Sequence, residues 1–105
     1  LRQGEDIRDV LRTGVRYQER RVVLYVLPTE RGTRVAFVCG RRVGTAVARN
    51  RARRLMRETW SALAPGTQGG FDIVFVARPE IRGAVMGDVL EESRIALART
   101  GVIVR

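Results

Sequence analysis

The sequence predicts an α/β fold in its α+β two-layer form, a small mixed sheet packed with helices. Three observations predict it. Helix-period and strand-like segments follow one another as helix–strand–strand–helix–strand–helix. The three strand-like runs are rich in β-branched and aromatic residues and are bounded by glycine or proline. The length of 105 residues and the 45% hydrophobic share fit one domain, 1–105, with one modest core.

Residues 5–13 predict a short helix. Ile7, Val10 and Leu11 recur at i, i+3, i+4, while Asp6, Arg8, Asp9 and Arg12 face elsewhere, and Gly14 stops it. Arg21–Leu27 (RVVLYVL) is the first strand, ended by Pro28. Pro28–Thr33 is a turn, and Arg34–Cys39 (RVAFVC) is a second strand, expected to pair with the first as a hairpin. Gly40–Thr45 is a basic connection, and Thr45 caps a long helix from Ala46 to about Leu63. At 100° per residue, Ala48, Ala52, Leu55, Met56, Thr59 and Leu63 share one face of that helix, with Trp60 at its border as core. Asn50, Arg53, Arg54 and Arg57 share the opposite face, flanked by Arg49 and Arg51. Ala64–Gly70 is a loop, and Phe71–Ala77 (FDIVFVA) is a third strand stopped by Pro79. A last helix is expected over about 85–99, with Val85, Met86, Val89, Leu90, Ala96 and Leu97 on its apolar side. Asp88 and Glu91 suggest a capping box, Gly101 ends the helix, and Val102–Val104 add a short extended tail.

The charge is not evenly spread. The chain carries +9, and all 20 basic residues are arginine. Between Glu30 and Glu58 there is no acidic residue but nine arginines: Arg31, Arg34, Arg41, Arg42, Arg49, Arg51, Arg53, Arg54 and Arg57. Setting those nine aside leaves 11 basic residues against 11 acidic ones, so residues 31–57 hold the whole excess. A field concentrated in this way suits a polyanion, and guanidinium groups grip phosphate and stack on bases. The alternative is a solvated helix face, left with unrelieved repulsion.

Much chemistry is excluded. There is no histidine and only one cysteine, Cys39, so the commonest general base and a metal cage are missing. Cys39 lies in an apolar run and reads as a small buried hydrophobe, which fits a reducing cytoplasm. Glu91 and Glu92 are adjacent and diverge on a helix, and Ser61 and Ser93 lack a nearby base. Gly40 and Gly44 match neither a Walker loop nor a dinucleotide fingerprint, and no small-molecule substrate is expected. No apolar run approaches the ~18–20 residues of a membrane span, and no signal-peptide pattern opens the chain. Neither catalytic residues nor a metal site is expected in the protein itself.

The run from Arg34 to Trp60, RVAFVCGRRVGTAVARNRARRLMRETW, resembles the bacterial ribonuclease P protein subunit. It carries, in order, a strand, the basic pair Arg41-Arg42, the turn Gly44-Thr45-Ala46-Val47, and Arg49-Asn50-Arg51 followed by more arginines. The likeness extends to the leading helix, Gly14, Val23-Leu24-Tyr25 and Asp72–Ala77. It implies a left-handed βαβ crossover, which is otherwise rare. It also implies a catalytic RNA that holds the active site and its Mg²⁺ and removes the 5′ leader of precursor tRNA. In such an enzyme Arg41, Arg42, Arg49, Asn50, Arg51, Arg53, Arg54 and Arg57 bind the RNA. The leader lies in a cleft formed by Ile7, Leu11, Tyr25, Val38 and Gly40. Ile7 and Leu11 stand where the family often has phenylalanine, which implies apolar contact rather than stacking. Val38 and Gly40 replace hydroxyl residues common there. Read from the residues alone, Ile7, Leu11 and Tyr25 fit a core role as well as a cleft role. A general RNA-binding or chaperone module explains the charge but not the ordered motif. A protein-only nuclease is the third reading, opposed by the missing histidines.

Overall fold

The computed structural model describes residues 4–103. Its elements are helix α1 (Gly4–Thr13), strands β1 (Val15–Gln18), β2 (Val22–Pro28) and β3 (Arg34–Cys39), helix α2 (Ala46–Leu63), strand β4 (Phe71–Ala77) and helix α3 (Met86–Thr100). Single 3₁₀ turns cover Arg41–Val43, Ala64–Gly66 and Pro79–Ile81.

The sheet has the order β1-β2-β4-β3. β4 runs antiparallel to β2, with Leu24 opposite Phe75, and parallel to β3, with Phe37 opposite Phe75. The expected β2–β3 hairpin is therefore corrected: β4 lies between the two strands. Burial explains the order. Ile73, Val74 and Phe75 are successive residues pointing to alternate faces, and all are fully buried. A run apolar on both faces needs neighbours on both sides, whereas β3, which begins at Arg34, tolerates an edge. The Pro28–Thr33 turn passes the end of β4, where the Thr29 N–H donates to the Gly70 carbonyl at 2.8 Å and the Phe71 N–H donates to Thr33 Oγ1 at 3.3 Å.

One face of the sheet carries the main core. Val22, Leu24, Val26, Ile73, Phe75 and Ala77 pack there with Ala52, Leu55 and Met56 of α2 and with Val89, Ala96 and Leu97 of α3. Each large side chain buried this way contributes roughly 1.5–3 kcal/mol. Half-buried Trp60 meets Phe75 edge-on, with centroids 6.3 Å apart. Among the described residues the opposite face carries α1 alone, through Val10, Ala36 and Val74 with Ile7, Leu11, Tyr25, Leu27, Val38 and Val76 around them. A helix of 10 residues is only ~15 Å long, so it covers part of the four-stranded sheet. Gly14 lets α1 turn directly into β1, because a Cβ there would stand 2.6 Å from the Val10 carbonyl oxygen and 3.1 Å from that of Val26.

β1 is the strand missing from the sequence-based expectation. It is only four residues long and mostly exposed, and pairing with β2 (Arg16 opposite Tyr25) rather than local propensity holds it. The long helix matches its expected bounds, and Thr45 Oγ1 accepts from the Ala48 N–H at 3.2 Å. The cap of α3 is corrected by one turn. Asp88 is not the first residue of a capping box; its carboxylate accepts from the Val85 N–H at 3.4 Å, and Glu91 instead pairs with Arg94. Val85, expected on the apolar side, precedes the helix and is 62% exposed. Gly101 ends α3 in the left-handed conformation, and Ile103 bridges Thr67. Val104 of the expected tail lies outside the described residues.

Candidate nucleic-acid interface

The expected basic residues lie on α2 and the turn before it. The apolar stripe of α2 buries Ala52, Leu55, Met56 and Thr59 against the sheet and α3, which turns the other side outward. Arg41, Arg42, Asn50, Arg51, Arg54 and Arg57 are exposed, and Arg49 and Arg53 are half-buried. Arg57 stacks over Phe37 of β3, with its guanidinium carbon 5.5 Å from the ring centroid. Burial pushes the Cys39 thiol up, while the charges of Arg53 and Arg49 pull it down. Arg49, Arg53 and Arg57, four residues apart, thus follow the edge strand β3. Arg51 leans the other way and donates to the Ala84 carbonyl at 3.0 Å. Asn50 sits between the two rows, where its Oδ1 accepts from Arg53 Nη2 at 2.6 Å. Since arginine has no acceptor, that contact fixes the amide with its NH₂ turned away from Arg53.

The nine-arginine stretch divides in space. Arg34 faces the α1 side and donates twice to Asp72, from Nε at 3.1 Å and Nη2 at 3.0 Å, and once to Asp6 of α1 at 3.4 Å. The hydrogen bond to Asp72 raises the Arg34 pKa above its ordinary value against the opposing effect of burial. Arg31 stands 3.7 Å from the same carboxylate. Arg34 ties α1 to the sheet and Arg31 pairs with β4 alone, so neither is part of the α2 face. On α2 the single ion pair among the described residues is Arg54–Glu58 at 3.4 Å, exposed and weak. Arg41, Arg42, Arg49, Arg51, Arg53 and Arg57 have no carboxylate partner among the described residues. Arg82 joins the turn at Arg41–Gly44, where a Cβ on Gly44 would meet its Cδ at 3.4 Å. Gly44 has φ +139°, so its backbone also favours glycine. No sequence signal marks Arg82, which lies a whole strand and helix away from that turn.

The expected cleft residues gather on the α1 side of the sheet, with one exception. Ile7, Leu11, Tyr25 and Val38 belong to one cluster. Gly40 is exposed beyond the end of β3, with open space around a would-be Cβ. A groove of about 500 Å³ opens at Arg8, Asp9, Leu11 and Arg12. Tyr25 is half-buried, and its hydroxyl accepts from Arg16 Nε at 3.2 Å. The expectation omitted Arg8, Arg12 and Arg16. The alternation Val15-Arg16-Tyr17-Gln18 was the available signal for Arg16, though four residues are short for it.

Two carboxylates near the basic face and the cleft are already engaged by arginine. Both Asp72 oxygens receive Arg34 donors, and Glu58 is engaged by Arg54. Among the described residues no group of three or more His, Cys, Asp or Glu residues could hold a metal ion. Among the described residues no helix is long and apolar enough to cross a membrane.

Fold and surface together define a small basic α+β domain: one sheet face is sealed by two helices, the other is half-covered, and one helix is faced with guanidinium groups. The model of the family described as Ribonuclease P matches residues 1–101. The ribonuclease P protein component of Chloroflexus aggregans is 42% identical over 83 residues, 77% of this chain and 62% of that protein. That of Pelotomaculum thermopropionicum is 35% identical over 106 residues, covering 100% of this chain and 94% of the other. Among solved structures, the RNase P protein of Thermotoga maritima superposes with a TM-score of 0.84 at 25% identity, covering 94% of each chain. A mutant RNase P protein from Staphylococcus aureus gives 0.86 at 19%, covering 98% of this chain and 88% of the other. The chain belongs to the ribonuclease P protein family. It spans a little under two thirds of the length of the Chloroflexus relatives.

Proposed function

We propose that this chain is the protein subunit of a ribonuclease P whose active site lies in a partner RNA, and that it promotes removal of the 5′ leader from precursor tRNA. The observation that carries the proposal is the α2 face with its adjoining turn, where six arginines lack a carboxylate partner among the described residues. Arg41, Arg42, Arg49, Arg51, Arg53 and Arg57, with Asn50 and Arg54, contact the phosphates of the catalytic RNA. The half-covered sheet face receives the single-stranded leader along Ile7, Leu11, Tyr25 and Val38, with Gly40 at its open end. With no histidine and a single cysteine in the sequence, the part of this chain in that reading is to bind and align. The Mg²⁺ of the reaction is bound mainly by the RNA in this reading. A cytoplasmic location fits this role.

Reconstitution tests the proposal. The chain is mixed with a bacterial ribonuclease P RNA and precursor tRNA at low Mg²⁺. Stimulated cleavage at the mature 5′ end is expected. Binding without stimulation would instead support a general RNA-binding module, and metal-dependent cleavage without added RNA would support a protein-only nuclease.

A further inference from the structure

We infer that Arg16, held by Tyr25 and Gln18, is a leader-binding residue of the cleft, where it binds an acceptor oxygen of one leader nucleotide. This rests on the leader-cleft reading above and adds to it a residue on β1. Arg16 lies opposite Tyr25 across the β1–β2 pair, so it shares the α1 side of the sheet with the cleft. Gln18, two residues on, points to the same side.

The partners of Arg16 set it apart from the arginines that build the fold. Arg34 is bound to Asp72, Arg21 to Glu92, and Arg78 to the Glu19 and Arg20 carbonyls. Arg16 donates instead to two neutral side chains, to Tyr25 Oη at 3.2 Å and Gln18 Oε1 at 2.7 Å. Two hydrogen bonds hold it, while its charge has no carboxylate partner among the described residues. Because arginine can only donate, the Gln18 amide must turn its oxygen to Arg16 and its NH₂ outward. The β1 rim of the cleft is therefore a row of donors beside an aromatic ring. Such a row takes acceptors, either a phosphate oxygen or a base carbonyl, while the Tyr25 ring supports the base. A cation held in place before binding loses less side-chain entropy when the strand arrives.

The test uses the chain assembled with a bacterial ribonuclease P RNA. Affinity is measured for a precursor tRNA and for the same tRNA without its leader. Arg16→Ala is expected to weaken precursor binding about tenfold, with leaderless tRNA and the RNA subunit bound as before. Arg16→Lys keeps the charge but loses the fork, so it should recover only part of the loss. Two substrate arms locate the oxygen. If it belongs to phosphate, one neutral methylphosphonate linkage in the leader weakens the wild type and adds nothing to Arg16→Ala. If it belongs to a base, a base replacement at one leader position shows that coupling instead. Tyr25→Ala and Leu11→Glu serve as cleft references. Loss of leader-dependent affinity in these two but not in Arg16→Ala would overturn the role of Arg16 alone. No leader-dependent loss in any of the three would overturn the cleft reading itself.

Discussion

Replacing Arg53 and Arg57 together by alanine should change the salt dependence of RNA binding by a calculable amount. Six arginines on α2 and its leading turn lack carboxylate partners among the described residues, and each is free to displace a counterion from phosphate. Each phosphate contact contributes roughly 0.7–0.9 to the slope of log K against log salt. Six contacts predict a slope of about −4 to −5.5, and losing two should lessen it by about 1.4–1.8. Over a fourfold rise in salt the wild type should then lose roughly tenfold more affinity than the double variant. The assay is a titration of labelled ribonuclease P RNA at several salt concentrations. Arg57 also lies over Phe37, so a thermal melt must accompany it to separate lost packing from lost contact. Arg54→Ala is the internal comparison: Glu58 already offsets that charge, so its slope change should be smaller. An unchanged slope in a folded double variant would refute the assignment of this face.

Three further outcomes concern the scaffold. Asp72→Asn removes the counter-charge that Arg34 and Arg31 share and leaves Arg34 with Asp6 alone; Tm should fall by roughly 5–15 °C in a circular-dichroism melt. Ser93 Oγ and Thr59 Oγ1 are buried with no hydrogen-bond partner among the described residues, so Ser93→Ala or Thr59→Val should leave stability unchanged or raise it by about 1 kcal/mol in urea unfolding. The Glu91 pKa is lowered by its hydrogen bond to Arg94, so that contribution is present above the unfolded value near 4.5 and disappears as pH falls through the folded one; Glu91→Gln should flatten only that part of a pH–stability profile.

Some of this was legible in the residues because it depends on local periodicity. The α2 bounds, the Thr45 cap, the buried Ala52–Leu55–Met56–Thr59 stripe and the outward guanidinium face all follow from 100° per residue. The Gly101 stop and the three longer strands were legible for similar reasons. β1 was not, because its four residues gain their strand character from β2. The capping of α3 was misplaced because both Asp88 and Glu91 suit a first turn, and only the packed chain shows which N–H is within reach.

By itself, the sequence determined that one helix would present an outward guanidinium face, since pattern and charge lie within a single element. The tertiary structure decided how the arginines were shared. It removed Arg31 and Arg34 from that face by bringing Asp72 and Asp6 to them from distant segments. It added Arg82 to the Arg41–Gly44 turn and set Arg16 on Tyr25. It also inserted β4 between β2 and β3, because an apolar run buried on both faces is stable only at the centre of a sheet. Ion pairs and strand order depend on distances between remote residues, and those distances are fixed only when the core closes.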